Sequence, residues 1–130
     1  MSEFGRYEVL VHVRRGDEIL VVRRTDHSYW HVVSGGIEAG ETAAEAARRE
    51  LREETGLEAE VRPIGGFQYA REPWESSPGM RCDVKAFVAE APAGWEPQLD
   101  HEHDDYRWCT RDAAAALIRF PEPRELLRAL

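Results

Sequence analysis

The sequence predicts a domain of the α/β (α+β) class, with a mixed β-sheet lying between helices. Three observations predict it. Short runs that alternate or are continuously apolar read as strands. One long stretch of helix formers, with start and stop signals of its own, stands between them. An Ala-rich helical pattern follows the last strand.

Tyr7 to Arg14 alternates, with Val9, Val11 and Val13 on one face, and predicts a strand. Gly16-Asp17 makes a tight turn into Glu18–Arg24 (EILVVRR), apolar enough for a central strand. Thr25 to Tyr29 is a loop. Trp30 to Val33 is a short strand feeding a Gly35-Gly36 turn. From Thr42 to Thr55 almost every residue favours helix. Thr42 with Glu45 three places on has the form of a capping box, so the helix begins near Glu41–Thr42, and Gly56 stops it. Glu58 to Tyr69 predicts a long strand with a bulge at Gly65-Gly66. Met80 to Ala89 and Asp104 to Cys109 are further strands, separated by loops at Glu72–Gly79 and Ala91–Leu99. Asp112 to Ile118 is helical, capped by Thr110, and Pro121 to Leu130 is a last short helix.

The 130 residues carry a formal charge of −8 and are 42% hydrophobic, which suits one domain, 1–130, with a modest core. That charge argues against a non-specific nucleic-acid polymer as partner. Phosphates would have to be neutralised locally, by metal ions and a few of the arginines, which are all but one (Lys85) of the basic residues. Cys82 and Cys109 lack CxxC spacing and read as reduced core residues. No signal peptide or membrane-spanning run is present, so a cytoplasmic location away from any membrane is the expectation.

Glu50, Glu53 and Glu54 fall at i, i+3 and i+4, placing three carboxylates on one face in the last turns of the long helix. A Glu/Arg-rich helix is ordinarily a solvated surface, and the Glu45–Arg49 and Arg49–Glu53 pairs fit that. The C-terminal end, however, carries the negative end of the helix dipole and normally favours cations. Three carboxylates there repel one another unless a multivalent cation joins them. Magnesium, a hard ion that takes carboxylate oxygens, fits.

Gly35, Glu41, Arg49, Glu50, Leu51, Glu53, Glu54, Gly56 and Leu57 stand at the spacing of the Nudix box, and the chain resembles the Nudix hydrolases. The resemblance implies an α/β/α sandwich and Mg2+-dependent hydrolysis of a pyrophosphate linkage, with Mn2+ as a substitute. Glu53 and Glu54 are then metal ligands. Glu50 is the general base or a further ligand, held by Arg49. Glu41 is a water-mediated ligand, and Ser34 contributes its carbonyl. The catalytic set is Glu50, Glu53 and Arg49.

Glu102-His103-Asp104-Asp105-Tyr106-Arg107-Trp108 taken alone is an acidic loop entering an edge strand. Beside the box it resembles a segment of dihydroneopterin triphosphate pyrophosphatases and of some dinucleoside-polyphosphate hydrolases, which makes Glu102 a candidate extra ligand. His101 and His103 read as polar loop groups. The Val33-Ser34-Gly35 run resembles the same neopterin branch. Trp30, Tyr29, Phe67, Tyr69 and Trp74 are candidates to stack a flat base or pterin, and Arg71 to contact phosphate. Arg23 and Arg81 have the same option but need no role beyond strand ends, and Trp108 and Phe87 read as core.

The expected substrate is therefore a small diphosphate-containing molecule, foremost a nucleoside or pterin triphosphate. A dinucleoside polyphosphate, or ADP-ribose or another sugar nucleotide, is the alternative; a nucleotide sensor without catalysis is a further one. A homodimer is an option, because such dimers are common among similar proteins.

Overall fold

The computed structural model describes residues 3–130. Strands β1 (Arg6–Arg15) and β2 (Glu18–Arg24) form a hairpin whose turn is closed by Gly16 at φ 61°. Then come β3 (Trp30–His31), β4 (Val33–Gly36), helix α1 (Ala43–Thr55), β5 (Val61–Ala70), β6 (Arg81–Glu90) and β7 (His103–Cys109). Helices α2 (Arg111–Leu117) and α3 (Pro121–Glu125) follow, with a terminal 3-10 turn at Leu126–Ala129.

The sheet is mixed. β1 runs parallel to β6, and β5 is antiparallel to β6. On its other edge β1 pairs with β2 only beside the turn, at Arg14↔Ile19 and Arg15↔Glu18, and beyond that with β4. β2 diverges to pair with β7 and β3. The gap between β1 and β2 is where β4 inserts.

Both faces of β1 are covered. Val9, Val11 and Val13 meet Ala46, Ala47 and Leu51 of α1, while Leu10 lies with Ile118, Ala114 and Leu127 on the opposite side. The expected alternation is therefore true of which helix each residue meets, not of burial against exposure. Helix, sheet and helix make the predicted α/β/α arrangement.

Local signals act as expected at α1. The Thr42 hydroxyl accepts from Glu45 N–H at 3.1 Å, and Thr42 N–H donates to the Glu45 carboxylate at 2.8 Å. Gly56 closes the helix at φ 82°. Thr110 caps α2. The β5 bulge lies between Pro63 and Gly65, one residue earlier than the Gly-Gly pair suggests. Two expectations change. Gly35 and Gly36 are not a turn but strand residues, paired with Val9 and Glu8. The C-terminal helix tightens into a 3-10 turn at Leu126.

His12 of β1 is fully buried, and its Nε2 lies 2.9 Å from the Pro123 carbonyl, tying the C-terminal helices to the sheet. Burial lowers its pKa to about 4, against the opposing effect of that carbonyl. The imidazole is thus neutral in the folded chain and takes up a proton near pH 6.5 once unfolded. Its stabilising contribution is complete above pH 6.5 and is lost as pH falls towards 4, by up to about 3 kcal/mol. Urea titrations between pH 7 and 4.5 should show a steeper loss of stability in the parent chain than in His12→Gln.

Candidate active site

The box residues gather around one guanidinium. Arg49 binds Glu41 through Nε at 2.7 Å and Nη2 at 3.0 Å, and its Nη2 also donates to the Gly36 carbonyl at 2.9 Å. Its Nη1 donates to Glu50 at 2.8 Å and to Glu53 at 3.3 Å. The bidentate bond to Arg49, with the Glu38 N–H, lowers the Glu41 pKa to about 2. Those same carboxylates, Glu41 first, push the guanidinium further into its charged form.

Glu54 is the exception. Its side chain is buried, with Oε1 3.4 Å from Ser34 N–H and 3.7 Å from Nε2 of His103. Its Oε2 is shut off from solvent and has no hydrogen-bond partner. Burial first, then the Glu50 carboxyl beside it, push the Glu54 pKa well above the usual carboxylate range. Two carboxyls meeting in a half-closed place, one with a vacant oxygen, suit a proton or a hard cation. Among the described residues no three acidic, His or Cys side chains already surround one point, because Glu53 is turned towards Arg49 and is half-exposed.

Gly35 explains the closeness of Glu50. A Cβ at Gly35 would overlap the Glu50 carboxyl, and one at Gly36 would lie 2.9 Å from Arg6 Nη2. Neither glycine has a positive φ; Gly35 is needed for the close approach of Glu50, which Arg49 holds in place, whereas at Gly36 the exposed Arg6 side chain could shift.

In front of this cluster is a cavity of about 440 Å³, a usual size for a small-molecule site. Ser34, Glu50 and Glu102 line it, as do Phe67, Tyr69, Arg71 and Trp74, so residues far apart in sequence are brought together as expected. Glu41, Arg49, Glu53 and Glu54 do not line it. Glu102 is half-exposed and 3.5 Å from Arg24. Arg71 holds the 72–79 loop through Nη1, at 2.9 Å from the Ser76 carbonyl and 2.8 Å from its hydroxyl.

Trp30 is not part of the cavity. Its ring packs on the α2 side of the sheet with the Arg107 guanidinium 4.8 Å above it. Its neighbour His31 lines the wall instead, since adjacent strand residues face opposite ways. Arg23 pairs with Asp104 at 2.8 Å outside the cavity. Phe87 is buried, and Trp108 packs under Arg15 at 4.0 Å.

Sequence reasoning missed several residues. Arg6 and Glu8 of β1 line the cavity, joined to each other at 2.6 Å, and Glu8 accepts from the Tyr69 hydroxyl at 2.6 Å. Arg24 and Phe120 line it as well. His103 is no loop group: it is buried, with Nδ1 2.8 Å from Asp100, beside Glu54. The alternation of Arg6 and Glu8 with Val9 and Val11 was the available signal for the first pair; nothing local marked the others.

A family model described as the NUDIX domain matches residues 6–130. An octanoyltransferase of Myxococcus xanthus is 36% identical over 111 residues, 82% of this chain, which spans only 30% of that protein's length. An asymmetrical bis(5'-nucleosyl)-tetraphosphatase of Mus musculus is 31% identical over 118 residues, 85% of this chain and 76% of that one. The solved structure of the E. coli dihydroneopterin triphosphate pyrophosphohydrolase superposes with a TM-score of 0.86 at 24% identity, covering 94% of this chain and 92% of that one, a likeness of fold.

Replacing Arg49 by Lys removes the forked contact to Glu41 while keeping the charge. Chemical denaturation should show a loss of about 1–3 kcal/mol, and an NMR titration should find the Glu41 carboxyl shifted upwards, though still held down by the Glu38 N–H.

Proposed function

Because the chain belongs to the Nudix hydrolase family, we propose that it hydrolyses a phosphoric anhydride in a nucleoside or pterin triphosphate and releases pyrophosphate. The observation that carries this is the Glu50–Glu54 pair, with its unpartnered oxygen, directly behind a cavity that has arginines and aromatic rings in its walls.

All the acidic donors near that pair are hard oxygens, so the set suits Mg2+, with Mn2+ as a substitute. Glu53 and Glu54 would hold the ion by their side chains, beside Glu50 and the Ser34 carbonyl. Glu102 would add a ligand and Glu41 would act through water. A bound ion supplies positive charge against the phosphate oxygens.

Glu50 takes a proton from the attacking water. It is the box glutamate that lines the cavity, and Arg49 fixes its direction. The water oxygen bonds to one phosphorus, the bridging P–O bond breaks, and the pyrophosphate oxygen leaves with the electron pair. Arg71, a guanidinium in the cavity wall, binds a phosphate oxygen. Phe67, Tyr69 and Trp74 contact the substrate, its flat ring lying at the end where Tyr29 stands beside Trp74 at 6.2 Å between ring centres.

A dinucleoside polyphosphate is the alternative, supported by the mouse relative. A silent sensor is disfavoured because every box glutamate is present.

A panel of phosphate anhydrides incubated with Mg2+, with both products identified by mass spectrometry, tests the substrate class: triphosphates should yield a monophosphate and pyrophosphate. Glu53→Gln and Glu54→Gln should each abolish turnover and the thermal shift caused by Mn2+. Without metal, Glu54→Gln should melt at or above the parent temperature, since it replaces a buried carboxyl by a neutral isostere. Gly35→Ala, which drives the new methyl into Glu50, should lower kcat by roughly a hundredfold or more.

A further inference from the structure

β3 is two residues long, and its alternation turns Trp30 against the core, partly buried, and His31 to the cavity. The His31 ring stands edge-on to Phe120 (5.5 Å, 77°) and to Tyr29 (6.2 Å, 79°). Tyr29 in turn meets Phe120 at 5.3 Å, and Trp74 meets His27 at 4.7 Å. His31 therefore stands within the aromatic end of the cavity.

Its hydrogen bonding is incomplete. Nδ1 is shut off from solvent with no partner, and the ring makes no hydrogen bond among the described residues. An orphaned buried N–H costs more than an orphaned lone pair, so the lone pair belongs on Nδ1 and the proton on Nε2, the nitrogen left open on the cavity side. Burial, with Arg24 nearby, lowers the pKa to about 3 and keeps the imidazole neutral. A neutral ring competes poorly with Arg24 and Arg71 for phosphate, but it suits an uncharged acceptor.

We propose that His31 is a specificity-determining residue of the proposed hydrolysis: its Nε2–H donates to a carbonyl oxygen or in-ring nitrogen on the edge of the heterocycle held by Tyr29, Trp74 and Phe120. This rests on the substrate being a ring-bearing triphosphate. Purines and pterins present such acceptors; a plain aryl group does not. The stacking rings accept any flat group, and His31 supplies the discrimination that they lack.

The test compares the KM of the best nucleoside triphosphate in the panel with the Ki of inorganic tripolyphosphate, a ringless competitor for the same cavity. In His31→Leu the KM should rise about tenfold while the Ki moves less than twofold, and His31→Gln, which keeps a donor, should recover most of the loss. If the Leu chain does not fold, His31→Phe, which fills the wall without a donor, gives the same comparison. A parallel rise in KM and Ki would put the imidazole on phosphate, and no change in either would make it mere wall; each overturns the assignment. A parent enzyme that turns over no triphosphate, yet folds and binds Mn2+, overturns the substrate class itself, and the role of His31 with it.

Discussion

The site depends on Arg49 being surrounded. Its guanidinium touches Glu41, Glu50 and Glu53 and the Gly36 carbonyl, so one cation sets the directions of three carboxylates and anchors helix α1 to strand β4. Without it Glu50 and Glu53 would face one another towards the helix end where the backbone dipole is already negative. Glu54 stands apart from this arrangement. It is left buried against Glu50 with one oxygen unsatisfied, a cost that favours its neutral form in the absence of a cation.

Two close approaches lie within the arrangement. Gly35 admits the Glu50 carboxyl and Gly36 admits the Arg6 guanidinium, on adjacent residues of one strand. β4 reaches that position because β1 and β2 part after two paired residues beyond their turn. A divergence in the hairpin thus becomes the floor of the cavity. On the wall beside it, Glu8 binds both Arg6 and Tyr69, so the polar groups there are held by one another before any ligand arrives.

The cavity has two chemically different ends. Glu50 and Ser34 mark one, while His27, Tyr29, His31, Trp74 and Phe120 mark the other. The aromatic side chains come from the 25–29 loop, β3, the 72–79 loop and the start of α3. Variation in these segments can alter what is held without disturbing α1, a division of labour common to folds in which loops carry selectivity and regular elements carry the reaction.

Much of this was legible in the chain. The capping box, Gly56, the bulged β5 strand and the box spacing are all short-range signals, set by backbone and side-chain chemistry within a few residues, and the structure contains each of them. A motif of nine residues in register made the family readable for the same reason. What the sequence could not supply was phase and partnership. Strand β3 is too short for a period of two to say which of Trp30 and His31 faces inward, and only packing against Ile118 and Arg107 on one side decided it. Likewise His103 became a buried neighbour of Glu54, and Arg6 a wall of the cavity, through pairings across dozens of residues. Local preference determined the elements and the box; the tertiary structure decided which side chains face the cavity, because facing is a property of the neighbours.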